Sequence, residues 1–142
     1  MSRSSRVVDG FATMAGMEMW NNPACSKCAT ARATLDEARV PVRLRAYLEQ
    51  PPSVEELTDV LRRLGARPWE VCRTQEPVAG ELGLTDWPRD DANESRWIEA
   101  MAAHPELIQR PILLLDDGTA VVGRTPQALD AAVDRATGGA GA

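Results

Sequence analysis

A cysteine between a short apolar segment and a helical pattern is the feature that most constrains this chain. The apolar segment ends at Trp20, the chain turns through residues 21–23, and Cys25 follows directly. From Ser26 onward apolar residues recur at spacings of three and four, which predicts a helix. The unpaired N–H groups and the dipole at a helix start favour a thiolate over a thiol, and they also attract anions. The pattern therefore predicts a nucleophile and an anion site in the same place.

The elements that follow continue an α/β pattern. Apolar residues alternate with arginines over residues 42–46, which predicts a half-buried strand and a parallel strand–helix–strand unit. Ser53 followed by Glu56 is typical of a helix start, and Gly65 is typical of a helix end. Residues 67–104 show helical patterns and no strand pattern.

The last third of the chain returns to strands. Before it, Asp91 and Glu94 are predicted to cap a further helix. Strand patterns then cover residues 112–122, with a hairpin turn at Asp117-Gly118. Thr125, followed by a proline, is predicted to start the final helix.

Composition excludes several classes of protein. The net charge of −5 over 142 residues argues against a nucleic-acid-binding protein, which usually carries a basic surface. No apolar run is long enough to cross a bilayer, and no secretory signal is apparent. Three cysteines, an odd number, cannot close a disulfide framework. We therefore expect a cytoplasmic protein with catalytic or redox thiols.

Cys25 and Cys28 form a C-x-x-C motif at the strand-to-helix junction. In a βαβ context this motif indicates redox chemistry, with Cys25 as the exposed attacking thiol and Cys28 as the possible resolving thiol. A closed zinc site would need two more ligands, and only Cys72 and His104 remain, without a recognisable spacing. We predict no metal site. The alternative to redox chemistry is a pair of buried structural cysteines.

Several motifs, in the right order over residues 17–134, resemble the glutaredoxin-coupled arsenate reductases. They are NPAC at 22–25, YLEQPPS at 47–53, CR at 72–73, HPELIQRPI at 104–112 and GRTP at 123–126. The resemblance implies an α/β fold with a thioredoxin-like mixed four-stranded sheet, flanking helices and a helical insertion between the second and third strands. We expect a flexible leader at 1–16, one domain at 17–137 with its insertion at about 53–108, and a disordered tail at 138–142.

The resemblance also implies site residues. Cys25 would attack arsenate, and Arg73, Arg110 and Arg124 would hold the oxyanion. Guanidinium groups match tetrahedral oxygens bidentately, and their charge would keep a neighbouring sulfur ionised. Each arginine considered singly would be interpreted as a solvated surface residue. In thioredoxin-like folds a cis-proline lies opposite the redox cysteine, which favours a cis bond at Pro111 over a trans bond at a strand start.

Two positions depart from the family pattern. Asn21 replaces a histidine four residues before the catalytic cysteine, and Cys28 replaces a small hydroxyl residue. A C-x-x-C at this place is shared with the related Spx regulators, which bind RNA polymerase and sense thiol oxidation, and with glutaredoxins.

Three functions are therefore compatible with the sequence. The first is an enzyme that reduces arsenate to arsenite through a Cys25–arsenic adduct, without a bound cofactor. Its partners would be arsenate or a similar oxyanion and an external thiol donor, which could be glutaredoxin, thioredoxin or a low-molecular-weight thiol. The second is an Spx-like regulator that binds RNA polymerase. The third is a glutaredoxin-like thiol–disulfide oxidoreductase.

Overall fold

Four short strands form one sheet in the computed structural model, which describes residues 17–137. They are β1 (Met17–Trp20), β2 (Val42–Arg45), β3 (Ile112–Leu115) and β4 (Ala120–Val122). The order across the sheet is β2-β1-β3-β4. β1 pairs with β2 in parallel, and the other two pairs are antiparallel. This mixed sheet confirms the predicted fold class. The predicted leader (1–16) and tail (138–142) lie outside the described residues.

Two helices cover one face of the sheet. They are α1 (Ser26–Glu37), which connects β1 to β2, and α5 (Pro126–Ala136), which follows β4. The apolar side chains that α1 and α5 bury together with this face belong to one cluster, which includes Met17, Met19 and Leu113. Because Cys28 belongs to the same cluster, the second cysteine is part of the core.

The other face of the sheet is covered by the helical insertion between β2 and β3. The insertion contains α2 (Val54–Leu64), α3 (Pro77–Leu82), α4 (Glu94–Ala103) and short 3-10 turns between them. Its apolar side chains pack with Trp20, Ile112 and Leu114, which alternate in direction with the residues of the first face. None of the helices described within residues 17–137 combines the length and the apolar character needed to cross a bilayer.

Helix caps follow the sequence in two cases and differ in one. The Ser53 hydroxyl accepts the Glu56 N–H at 3.0 Å, and Thr125 caps α5 in the same way. The cap predicted for α4 at Asp91 and Glu94 is wrong. Asp90 instead accepts an N–H at this helix entry, while Asp91 and Glu94 both bind Arg67. The two carboxylates are drawn to a guanidinium that is distant in sequence, and this contact depends on the tertiary fold.

The strand predicted over 42–46 exists but ends at Arg45 and is less buried than its alternation indicates. Leu44 is 54% exposed. The reason is its place in the sheet, because β2 is an edge strand and has a neighbour on one side only. Arg45 is better covered, since its guanidinium lies over the Trp20 ring and pairs with Glu56.

Candidate active site

A tight turn between β1 and α1 presents Cys25 as the residue immediately before the helix. The Asn22 side chain accepts the Ala24 N–H at 2.9 Å, and the Asn22 carbonyl accepts the Cys25 N–H at 3.0 Å. An asparagine that bonds to backbone two residues ahead is a common turn element. The Cys25 carbonyl then accepts the Ala29 N–H, which starts the helical ladder. The local sequence thus places the sulfur at the helix N-terminus, as predicted.

The environment of Cys25 favours its ionised form. Partial burial opposes ionisation, but polar groups close to the sulfur, namely the Cys28 N–H, the Arg110 side chain and the Lys27 N–H, act in the opposite direction and outweigh it. Together these donors lower the pKa of the Cys25 thiol from 9.0 to about 7. A large share of the thiol is therefore ionised near neutral pH, which is what a cysteine nucleophile requires.

Cys28 has the opposite character. Its side chain is fully buried one turn into α1, and its sulfur accepts the Asn22 N–H at 3.5 Å. Burial and the neighbouring charge of Cys25 raise the pKa of the Cys28 thiol, although the Asn22 N–H acts against them. Both cysteines are free thiols in this structure. The pair is thus divided into a reactive sulfur at the surface and a protonated one behind it.

Arg110 is the arginine that acts directly on the nucleophile. It precedes β3, and the Arg110–Pro111 peptide bond is cis, the isomer that the sequence favours. Only 16% of its side chain is exposed, and its guanidinium helps to lower the pKa of the Cys25 thiol. Its Nη1 also lies 3.9 Å from a carboxylate oxygen of Glu76. A largely buried guanidinium with only a distant carboxylate partner can still offer N–H donors to an anion.

Arg73 joins this group through two acceptors. Its Nε donates to Glu76 at 3.1 Å, and its Nη1 donates to the Gln109 side chain at 3.1 Å. Its backbone N–H donates to the Leu107 carbonyl at 2.7 Å, which ties the insertion to the chain just before β3. With 14% of its side chain exposed, Arg73 is not a solvated surface residue.

Arg124 reaches the site from the end of β4. Its Nη1 donates to the Arg110 carbonyl at 2.7 Å. It also lines a cleft of about 200 Å³ together with Lys27 and Thr30 of α1 and the start of α5. Arg124 therefore supports the backbone of Arg110 and borders the first turn of α1.

The predicted residues are brought together in two layers. Cys25, Cys28 and Arg110 influence one another's ionisation, whereas Arg73 and Arg124 are linked to Arg110 through Glu76 and through the Arg110 carbonyl. The roles of the arginines as anion ligands remain predictions.

Three residues of this region were missed by sequence reasoning: Tyr47, Glu76 and Gln109. Gln109 lies within the HPELIQRPI motif and Glu76 lies three residues after Arg73, but neither residue type by itself indicates a partner of the arginines. Tyr47 belongs to the YLEQPPS motif, which was used only for the resemblance. Their importance follows from contacts between elements that are far apart in the chain.

Other chemically capable residues lie outside this arrangement. Burial raises the pKa of the Cys72 thiol to about 11, so it is a poor nucleophile. His104 is the residue that ends α4. Among residues 17–137, no three side chains of the metal-binding types His, Cys, Asp and Glu are grouped so that they could hold an ion.

Comparison with known proteins identifies the family. The sequence pattern of the ArsC family matches residues 20–132. The chain belongs to the ArsC family. A Streptomyces viridochromogenes relative named "Uncharacterized protein in glnII region" is 53% identical over 119 residues, which are 84% of this chain and 100% of the relative.

Two further ArsC-type proteins extend the comparison. The arsenate reductase of Neisseria meningitidis serogroup A is 35% identical over 83% of this chain and 98% of its own. The solved structure of the arsenate reductase from Vibrio cholerae is 36% identical, with a TM-score of 0.71 over 81% of this chain and 98% of that one. The thioredoxin-like arrangement of the sheet and helices is therefore that of the ArsC family.

Proposed function

We propose that this ArsC-family protein reduces arsenate to arsenite with thiols as the source of electrons. The observation that carries the proposal is the Cys25 sulfur itself. It lies at a helix start, where the backbone N–H groups and the largely buried Arg110 lower its pKa. The arsenate reductases among its relatives support the choice of substrate.

The chemistry begins with a bond between sulfur and arsenic. The Cys25 thiolate attacks As(V), and one arsenate oxygen leaves as water after taking up protons. The guanidinium of Arg110 is placed to neutralise the anion, with Arg73 and Arg124 as additional positive charges. The N–H groups at the start of α1, where the first turn contains no acidic side chain, favour negative charge at the same point.

A second thiol then completes the reduction. It attacks the Cys25 sulfur, a disulfide forms, and the electron pair of the sulfur–arsenic bond passes to arsenic, which becomes As(III). The attacking thiol is either Cys28 or an external donor, namely glutaredoxin, thioredoxin or a low-molecular-weight thiol. If the disulfide joins Cys25 to a donor thiol, one further donor thiol releases Cys25 and the donor leaves as a disulfide; if it joins Cys25 to Cys28, two donor thiols restore both cysteines and leave as a disulfide.

The test is thiol-coupled arsenate turnover by the wild type and three cysteine variants. Cys25→Ser should lose the activity by about a thousandfold or more, since it removes the nucleophile. Cys28→Ser should lose the activity only if Cys28 is the thiol that attacks the Cys25–arsenic adduct. Cys72→Ser is the matched control, because this buried thiol has no part in the proposed steps, and it should keep wild-type turnover. Full activity of Cys25→Ser would contradict the mechanism.

A thiol–disulfide oxidoreductase is the second candidate, and the division of labour between Cys25 and Cys28 supports it. A partly exposed thiolate backed by a protonated thiol is also the arrangement for disulfide exchange. Reduction of a mixed disulfide together with no arsenate turnover would select this function. The arginines favour the first candidate, because disulfide exchange needs no oxyanion ligands. Under the Spx-like alternative, RNA polymerase would co-purify and arsenate would not turn over.

A further inference from the structure

Three buried polar atoms without a hydrogen-bond partner lie on residues around the cysteine pair. Within residues 17–137 these atoms are Asn21 Oδ1, Tyr47 Oη and Arg110 Nε. A buried polar group without a partner lowers stability, so each one calls for a physical reason. The three residues come from separate parts of the chain, which makes one shared reason more economical than three unrelated defects.

The backbone brings Tyr47 and Asn21 together. Asn21 N–H donates to the Arg45 carbonyl at 2.8 Å, and Tyr47 N–H donates to the same oxygen at 3.0 Å. The Tyr47 ring is fully buried and stacks on Trp20, with ring centroids 6.2 Å apart and planes inclined by 19°. Tyr47 is thus held by its ring and its backbone, while its hydroxyl is left without a partner.

Four residues of the active site act on this hydroxyl. Burial raises the pKa of Tyr47 to about 12; Cys28 and Cys25 add to this effect, whereas the positive charges of Arg110 and Arg73 oppose it. The hydroxyl therefore keeps its proton at neutral pH. In that state it can accept one hydrogen bond and donate another at the same time.

The three atoms are complementary in their hydrogen-bonding needs. Arg110 Nε–H can only donate, Asn21 Oδ1 can only accept, and the Tyr47 hydroxyl does both. We propose that Tyr47 is a positioning residue that connects them when an oxyanion occupies the site: Arg110 Nε–H donates to Tyr47 Oη, and the Tyr47 O–H donates to Asn21 Oδ1. This inference rests on the proposed function, because it requires an anion at Cys25.

The anion supplies the reason for the rearrangement. Before it binds, the Arg110 guanidinium is divided between the Cys25 sulfur and Glu76, 3.9 Å away. A bound oxyanion is a stronger acceptor for the terminal N–H groups, and it draws them away from the carboxylate. Fixing Nε at Tyr47 then directs the two-pronged end of Arg110 at the anion and prevents its return to Glu76.

Phosphate binding to Tyr47→Phe tests the inference. Phosphate is a tetrahedral oxyanion that thiols do not reduce, so titration calorimetry on the reduced wild-type protein measures affinity without turnover. Tyr47→Phe should weaken phosphate binding about tenfold, as expected for the loss of a hydrogen bond to a charged group. Its melting temperature should not fall, because phenylalanine keeps the stacking on Trp20 and the lost hydroxyl had no partner. A purely structural role would show the reverse pattern.

Two further variants separate positioning from direct contact. Arg110→Lys has no Nε–H, so adding Tyr47→Phe to it should cause no further loss of phosphate affinity. A persistent tenfold loss in that background would mean that Tyr47 touches the anion itself, and it would overturn the positioning role. Asn21→Ala removes the far acceptor and should weaken binding by about threefold, less than Tyr47→Phe.

Phosphate binding and arsenate turnover, measured on the same proteins, distinguish an error in the role of Tyr47 from an error in the proposed function. If wild type and Tyr47→Phe bind phosphate equally, the positioning role is wrong while arsenate reduction is untouched. If the wild type binds phosphate and shows the Tyr47 effect but does not reduce arsenate, only the proposed reaction is wrong. If the wild type binds no oxyanion, both are wrong.

Discussion

The helices α1 and α2 both begin after a residue with an extended backbone, but the side chains at their first turns have opposite character. At α2, the Ser53 hydroxyl accepts the Glu56 N–H, and Glu55 and Glu56 place negative charge next to the helix N-terminus. At α1, Cys25 makes no regular capping hydrogen bond, and the first turn contains no acidic residue. Lys27 adds a positive charge there instead.

The difference shows how the two ends are used. The unpaired N–H groups of α2 are satisfied by the chain itself, which stabilises the helix. Those of α1 are left to act on the Cys25 sulfur and on any anion beside it. A helix start that is poor for stability is thereby good for holding a thiolate.

Removing the Arg110 guanidinium near the start of α1 should have the largest effect on the reactivity of Cys25. In Arg110→Ala the Cys25 sulfur loses a charged donor, so its pKa rises and arsenate turnover at neutral pH falls about ten- to a hundredfold. Turnover and ultraviolet titration of the thiolate measure the two effects. Arg62→Ala is the matched control, because Arg62 lies on α2 with 74% of its side chain exposed. An unchanged Cys25 pKa in Arg110→Ala would contradict the assignment.

The lowered pKa of Cys25 should appear directly in the pH dependence of turnover. Below about 7 the sulfur is protonated, so the rate should rise about tenfold per pH unit until it levels off above that value. In Arg110→Ala the levelling-off should move to higher pH. A wild-type profile that continues to rise toward pH 9.0, the ordinary value for a thiol, would show that the site does not favour the thiolate.

At the start of α2 the expected effect is on stability alone. Ser53→Ala deletes the cap of the Glu56 N–H and should lower the free energy of unfolding by about 1 kcal/mol. The melting temperature should fall by about 4 °C, measured by circular dichroism. Turnover at a temperature well below melting should equal that of the wild type. Lost activity in the folded variant would mean that the two helix starts are not independent.

Giving α1 an acidic first turn like that of α2 should have the smallest effect. Lys27→Glu places a carboxylate beside the helix N-terminus, which stabilises the helix by about 0.3–1 kcal/mol. The same charge repels the thiolate and should reduce turnover about two- to fivefold. Thermal melting and turnover should thus change in opposite directions. A variant that gains both stability and activity would refute the idea that α1 is kept open for an anion.

Much of the fold could be predicted, because it depends on local patterns. The turn before Cys25, the caps at Ser53 and Thr125, and the end of α2 at Gly65 each follow from a few adjacent residues. The exposure of Leu44 and the partners of Asp91 and Glu94 could not be predicted in this way. The first depends on which strand lies at the sheet edge, and the second on a guanidinium far away in the chain.

The sequence by itself determined the reactive centre: a cysteine before a helix, a second cysteine one turn later, and arginines in recognisable motifs. Only the tertiary structure decided that Arg110 acts on the Cys25 sulfur, that Arg73 and Arg110 share Glu76, and that the Tyr47 hydroxyl is buried without a partner. The physical reason is range. A helix start is made by neighbouring residues, whereas the charges that set its chemistry come from strands and loops that meet only when the chain folds.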